Sequence, residues 1–233
     1  MRPSILSAAT VALLVAAAPA WSAPIAYTSQ ASYNAAVAGF DPAVVNFDDQ
    51  ASGTTYPSGT GTGGLTFTYA IPGFQVAVRG GTALNGGASG LNTLALRNNA
   101  TGTAARFTAG DVVQVTFAEP THAFGFHVVV GQSFDFFAQD VNLSFAGTTY
   151  SMSGSETAAP VGSNGAQAVW VGIVDTAAAY TTATVRFGPV GAGPSGSFEL
   201  DDLSTAAAAV PEPSAGMVVC AIAGLALRRG RRR

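Results

Sequence analysis

VVQVTFAEPTHAFGFHVVV, residues 112–130, carries the clearest structural signal in this chain. Apolar and polar residues alternate over Val112–Phe117, which places the apolar side chains on one face of a strand. Glu119-Pro120 is then predicted to form a turn, and His122–Val130 is predicted to form a second, strongly apolar strand. The stretch therefore predicts two consecutive strands that bury one face each.

The same period of two recurs on both sides of this stretch, between turns rich in glycine and proline. A single short helix is predicted over Ser29–Gly39, with Gly39 at its C-terminal cap. The glycine-rich run Ser58–Gly64 opens onto a strand rather than a helix, so it is predicted to be a flexible surface loop and not a phosphate loop. The remaining predicted strands are Val44–Phe47, Leu65–Tyr69, Phe74–Val78, Thr93–Arg97, Thr103–Phe107, Phe134–Phe137, Val141–Phe145, Thr149–Met152, Val169–Val174, Thr182–Phe187 and Ser197–Leu203.

Many short strands and one helix predict an all-β fold, a β-sandwich or jelly-roll-like single domain over residues 24–205. Residues 206–210 are predicted to be a linker. Residues 24–210 contain twelve acidic residues, four arginines and no lysine, a formal charge of −8. A domain this acidic does not favour nucleic acid or anionic lipid as a partner. The only cysteine, Cys220, lies outside the domain, which excludes a disulfide or a cysteine nucleophile within it.

Both ends of the chain are predicted to be targeting segments. Arg2 precedes an apolar run over Ile5–Ala18, which small residues follow. This pattern predicts that residues 1–22 are a signal peptide that signal peptidase removes. At the other end, Pro211-Glu212-Pro213 precedes an apolar span over 214–227 that would reach only about 21 Å as a helix. A basic cluster follows, which the positive-inside rule keeps in the cytoplasm. It consists of Arg228, Arg229, Arg231, Arg232 and Arg233.

Residues 210–233 resemble the PEP-CTERM sorting signal of Gram-negative bacteria, also catalogued as the ice-binding protein C-terminal motif. The resemblance rests on the tripeptide, the short span, the basic cluster and their terminal position, which occur together. It implies recognition by a membrane-embedded transpeptidase, an exosortase, that cuts near Pro211–Pro213. The protein would insert transiently in the inner membrane and then reach the cell envelope or the extracellular space.

The body of the chain bears a weaker resemblance to the β-sandwich domain of such proteins. It rests on GLTFTY at 64–69, VTFAEPTHAFGF at 115–126 and FELDDLS at 198–204. This resemblance bears on the fold more than on the function. A role in association with exopolysaccharide outside the cell is implied by the resemblance of the sorting signal, and not by the residues of the domain.

Two acidic pairs are the best metal candidates in the sequence. Asp48-Asp49 follows the first predicted strand, and Asp201-Asp202 lies on the last, with Glu199 two residues earlier on the same face. The first and last strands of jelly rolls often lie side by side, so these five acids are candidate ligands of a structural calcium. The alternative is that they are solvated strand ends or turn residues bonded to nearby backbone N–H groups.

No catalytic arrangement is evident, and the chain is not expected to be an enzyme. No Gly-x-Ser-x-Gly elbow links a strand to a helix. His122 and His127 have odd spacing on one predicted strand, so they cannot converge on one metal or substrate. His122 is placed at the rim of the core. Candidate sugar-stacking rings are Tyr56, Tyr69, Tyr150, Trp170 and Tyr180, although core packing is the stronger explanation for Trp170.

The function expected from these observations is that of an exported, non-catalytic β-sandwich protein with a structural or adhesive role on exopolysaccharide. A carbohydrate-binding module with a structural calcium is the main alternative. Ice binding is a further one, but TFTY at 66–69 and TTATV at 181–185 are each too short to form a flat threonine array.

Overall fold

The computed structural model describes residues 23–80, 88–90, 92–130, 136–161, 166–188 and 197–209, and these form a single all-β domain with one short helix. Every strand pairing in it is antiparallel. The signal peptide, the sorting segment 210–233 and residues 134 and 135 of the strand predicted over Phe134–Phe137 lie outside these ranges. Phe136 and Phe137 are described and do not belong to a strand, which corrects that part of the prediction. The elements are β1 Ile25–Tyr27, α1 Gln30–Ala36, β2 Asp41–Val45, β3 Thr55–Tyr56, β4 Thr60–Thr62, β5 Leu65–Tyr69, β6 Phe74–Gly80, β7 Asn92–Asn98, β8 Ala104–Ala105, β9 Val112–Val130, β10 Val141–Phe145, β11 Thr148–Ser151, β12 Ala159–Val161, β13 Ala166–Val174, β14 Tyr180–Phe187 and β15 Phe198–Ala207.

Strand β9 is one continuous strand of 19 residues, which corrects the prediction of a turn at Glu119-Pro120. Its first half pairs with β5 and β14, and its second half with β13 and β15. Glu119 and Pro120 are exposed at the passage between the halves, and neither has a ladder partner among the described residues. Because no ladder bond is required there, proline costs no hydrogen bond and the strand continues.

The two halves of β9 belong to two facing layers. A straight strand of this length would span about 60 Å. However, Phe187 lies beside the Val112 end of β9, and Phe198 pairs with Val130 at the other end. The rings of Phe187 and Phe198 nevertheless stack, with centroids 5.8 Å apart. Strand β9 therefore bends so that one layer (β4, β5, β9, β14, β10, β11) covers the other. This is the sandwich arrangement that the alternating pattern predicted.

The main core lies between the layers and contains the inward residues of every long strand. Phe117 contacts Phe124 at 5.2 Å and Phe145 at 6.1 Å between ring centroids, so aromatic contacts link the two halves of β9 to β10. Phe67, Phe117, Phe124, Phe126 and Phe145 are all buried in this core.

A second, smaller cluster lies on the outer face of the β13/β15 layer, where helix α1 packs. Tyr33 of the helix is fully buried, and its ring lies 5.0 Å from that of Trp170 on β13. The helix confirms the prediction over Ser29–Gly39, but it ends at Ala36 and is capped by Val37 rather than Gly39.

The predicted loop over Ser58–Gly64 instead forms a β-hairpin, because β4 pairs with β5 through Thr62 and Leu65. Gly63 and Gly64 have φ angles of +57° and +78°, which suit a two-residue turn between right-twisted strands. At the other end of the domain, β15 continues through Ala206 and Ala207, which pair with β2. Those two residues therefore belong to the sheet and not to a linker.

Candidate functional site

Strands β2 and β15 are antiparallel neighbours, as the jelly-roll hypothesis required, with Val45 opposite Leu203. The segment after β2 thus approaches the segment before Leu203. The acids of both segments bind the backbone of the described residues 88–90 and 92: Asp48 Oδ1 accepts from Asn92 N–H at 3.0 Å, and Asp201 Oδ2 accepts from Ser89 N–H at 3.2 Å. These carboxylates anchor a connecting segment to both strands.

Gly90 is required for this packing. A Cβ atom at Gly90 would lie 2.0 Å from Oδ2 of Asp48, so no larger residue fits without displacing the carboxylate. Asp49, by contrast, is exposed and accepts a bond from the neighbouring Gln50 side chain, at 3.1 Å.

Glu199 belongs to a separate ion cluster. Its side chain is 1% exposed, and Oε1 contacts Arg79 Nη1 at 2.6 Å and Arg106 Nε at 2.8 Å. Oε2 accepts from the Thr93 hydroxyl at 2.6 Å. The two guanidinium groups balance the charge of this buried carboxylate, so the three side chains form an ion-pair network within the protein.

Asp201 and Asp202 occupy an irregular part of β15, where the register with β9 shifts. Asp202 has φ +50°, a left-handed conformation that aspartate tolerates better than most residues. Its Oδ2 lies 3.2 Å from Nδ1 of His127 on β9. Burial raises the pKa of Asp201 to about 7, the charge of Asp202 adds to this effect, and N–H donors of Ser89, Asp202 and Ala88 oppose it.

The predicted calcium ligands lie on neighbouring segments, but their side chains do not converge on one position. Among the described residues there is no group of three or more His, Cys, Asp or Glu side chains placed to hold a metal ion. The calcium hypothesis therefore stays a prediction. If calcium binds, the melting temperature of the protein should fall on chelation and recover with added calcium.

The two histidines lie in different surroundings. His122 sits at a register irregularity of β9, and its Nδ1–H donates to the Asp175 carbonyl at 2.9 Å. Its ring packs against Phe40, with centroids 4.7 Å apart. Phe40 packs against the outer cluster under α1. His127 lies edge-on to Trp170, with ring centroids 4.9 Å apart.

His127, Asp202 and Trp170 line a cleft of about 870 Å³ between α1, β12 and the outer face of the β13 layer. Trp170 is only 3% exposed, in agreement with the prediction that it packs in a core. The other candidate stacking rings are also buried or bound through their hydroxyl groups. Tyr56 is buried, Tyr69 bonds to the Tyr56 carbonyl, Tyr150 to Glu156 and Tyr180 to Asp175.

An open polar face covers the opposite side of the molecule, on strands β5, β9, β14, β10 and β11. We call it the hydroxyl face. Its outward residues alternate with buried ones and stand in cross-strand rows. One row is Thr66, Thr116 and Thr182; the next is Thr68, Gln114, Thr184, Ser144 and Thr149; the third is Val112, Arg186, Asn142 and Ser151.

The hydroxyl face unites segments that sequence reasoning treated as separate. TFTY lies on β5 and TTATV on β14, with Gln114 and Thr116 of β9 between them. Neighbouring strands are ~4.8 Å apart, and alternate residues along a strand ~6.7 Å apart, so the rows form a two-dimensional array. Strand alternation identified the outward residues, but no sequence signal identified the neighbours.

The sorting residues Pro211, Glu212 and Pro213 and the arginines 228, 229, 231, 232 and 233 lie outside the described residues. Within the part of the chain that is described, no helix combines the length and hydropathy needed to cross a membrane.

The fold and the site together define an all-β sandwich domain with one open, hydroxyl-bearing face. No protein-family model, curated protein or solved structure matches this chain.

Proposed function

We propose that the chain is an exported, non-catalytic β-sandwich protein that is sorted by an exosortase and binds exopolysaccharide in the cell envelope or extracellular matrix. The observation that carries the proposal is the hydroxyl face. It presents neutral hydroxyl and amide groups on five adjacent strands. Such groups both donate and accept hydrogen bonds, as sugar hydroxyls do.

The electrostatics of the face support the same function. Although the domain is strongly acidic, none of the outward residues in the three rows is Asp or Glu. A sugar polymer lying on the face would therefore meet no carboxylate from these rows. Many weak contacts on a repeating polymer add up through multivalency, which suits an adhesive role.

Affinity electrophoresis tests the binding function. The protein, produced from the full chain in its native host, is run through gels that contain the exopolysaccharide of that host. Retardation is expected, and it should weaken when Thr184 and Ser144 of the central row are both replaced by valine. Equal mobility with and without the polymer would contradict the proposal.

The sorting part of the proposal has its own measurement. Intact mass of the mature protein should show loss of residues 1 to about 22 and a cut near Pro211–Pro213, with or without an added group. A mass equal to the complete chain would contradict export and sorting.

Ice binding is the second candidate, because the row Thr66, Thr116, Thr182 brings threonines together on adjacent strands. The face also carries Gln114, and its third row carries Arg186, which makes it chemically mixed. A thermal-hysteresis measurement distinguishes the two: activity without polymer retardation would favour ice, and the reverse would favour polysaccharide.

A further inference from the structure

Arg186 differs from the other arginines of the described residues. Arg79 and Arg106 bind Glu199, and Arg97 donates to two main-chain carbonyl oxygens. Arg186 has neither an ion pair nor a hydrogen bond within those residues, and it is exposed. Its guanidinium group can therefore bind a ligand without breaking an existing contact.

Arg186 lines a shallow depression of about 500 Å³ at one end of the hydroxyl face. Asn142, Ser144 and Thr184 line it on adjacent strands, and Gln139 lines it from the turn before β10. The volume falls within the ~300–1,000 Å³ typical of small-ligand sites. The depression thus combines one unpaired cation with neutral amide and hydroxyl groups.

Two local contacts order this lining. The Asn142 side-chain NH₂ donates to the Gln139 carbonyl at 3.1 Å, which occupies one of its N–H donors and leaves the amide oxygen as an acceptor. The hydroxyls of Ser144 and Thr149 bond to each other at 2.8 Å. The polar groups are therefore held on paired strands before any ligand arrives.

The charges of the lining residues favour a ligand that carries a carboxylate. A guanidinium offers parallel N–H donors that match a carboxylate in planar, bidentate geometry, and this contact is stronger than one to a neutral hydroxyl. None of the eight residues that line the depression is acidic, so Arg186 is not neutralised by the lining. The acidic charge elsewhere on the domain is screened over about 8 Å at physiological salt.

We propose that the depression around Arg186 binds a carboxylate-bearing sugar of an acidic polysaccharide. Arg186 binds the carboxylate, and Asn142 and Thr184 bond to ring hydroxyls. The inference rests on the proposed function, since it names the sugar chemistry that the hydroxyl face recognises.

Polygalacturonate and its methyl ester test this inference, because they share a backbone and differ in the carboxylate. Binding of the full chain is measured by affinity electrophoresis at low and at about 0.5 M salt, a range over which surface charge interactions weaken strongly. The wild-type protein should bind the free acid about tenfold more tightly than the ester, and salt should remove most of the difference.

Arg186→Gln should abolish the preference for the free acid and leave binding of the ester unchanged. Arg186→Lys, which keeps the charge but loses the planar fork, should retain part of the preference. Asn34→Ala, an exposed change on helix α1 at the opposite side of the domain, is the control and should behave as the wild type.

Equal binding of acid and ester by the wild type, or an unchanged preference in Arg186→Gln, would overturn the inference. In that case retardation by the host exopolysaccharide would still support the proposed function. Failure to bind any of the three polymers would overturn both.

Discussion

Glu199 connects three parts of the sheet through one buried carboxylate. It lies on β15 and binds Arg79 on β6, Thr93 on β7 and Arg106 after β8. Removing one partner of a buried ion pair costs more than the pair contributes, because the remaining charge is left uncompensated. The effect of Glu199 on stability therefore depends on the arginines that it neutralises.

Replacement of Glu199 by Gln should lower the free energy of unfolding by about 3 kcal/mol. Thr93→Val removes only one neutral donor from the same carboxylate and should cost about 1 kcal/mol. Urea denaturation measures both, with the exposed Glu119→Gln as the control. Equal losses in the Glu199 and Thr93 variants would show that the arginine pairs add nothing.

Asp201 makes stability depend on pH near neutrality. Its pKa is raised to about 7 in the folded protein, against about 4 in an unfolded chain. Between these values the folded state keeps the proton and the unfolded state has lost it. Stability should therefore fall as pH rises from about 4 to 7, by up to ~1.4 kcal/mol per unit, and then level off.

Denaturation at about pH 5.5 and pH 7.5 tests this expectation. Asp201→Asn removes the titrating group and should flatten the difference, while Asp202 and His127 remain. Asp49→Asn, at an exposed acid, should keep the wild-type slope. A slope that persists in Asp201→Asn would assign the effect to another group.

Among the elements, helix α1 covers the outer face of the β13/β15 layer chiefly through Tyr33. The ring packs on Trp170, and its hydroxyl donates to the Ser204 carbonyl at 3.3 Å. A helix of seven residues is too short to be stable alone, so its stability comes from this packing.

Tyr33→Ala should cost about 3 kcal/mol because it leaves a large cavity beside Trp170. Tyr33→Phe keeps the ring and loses one hydrogen bond, for about 1 kcal/mol. Thermal unfolding separates the two variants, with Asn34→Ala as the neutral control. A Tyr33→Phe loss as large as that of Tyr33→Ala would assign the main role to the hydroxyl.

The β4–β5 hairpin depends on a close approach at Gly61. A Cβ there would lie 1.8 Å from the Leu65 carbonyl oxygen, so Gly61→Ala must separate the two strands. Gly59 has open space but φ +87°, and Gly59→Ala should cost only about 1 kcal/mol from backbone strain. Limited proteolysis should therefore cut near residue 60 in Gly61→Ala alone; resistance equal to the wild type would contradict the steric argument.

At the scale of the whole molecule, the proposed sorting route makes a prediction about processing. Replacing Pro211, Glu212 and Pro213 together by alanine should prevent the cut, because the rigid extended tripeptide becomes compatible with a helix. The variant should stay in the membrane fraction of its native host with residues 214–233 attached. Fractionation and intact mass check this, and a mature mass that differs from the wild type only by the substitutions would contradict it.

The sequence could predict most strands, because burial of one face imposes a period of two on the chain itself. Strands β5 and β10 have the predicted bounds, and the helix lies within the predicted range Ser29–Gly39, although it ends at Ala36. The β4–β5 hairpin was missed because threonine and glycine carry no apolar alternation. The prediction of a turn at Pro120 was wrong, because proline is tolerated where a strand passes between layers.

What the sequence determined alone is therefore the all-β class, the inward residues and the acidic charge of the domain. Tertiary structure decided the partners. Glu199 binds arginines, Asp48 binds the backbone of Asn92, and Asp201 binds that of Ser89. Arg186 has no partner among the described residues and lies on the hydroxyl face. Alternation fixes the side of a strand to which each residue points, but it carries no information about which strand lies beside it. Register across distant segments supplies that information, and here it assembles five strands into one face.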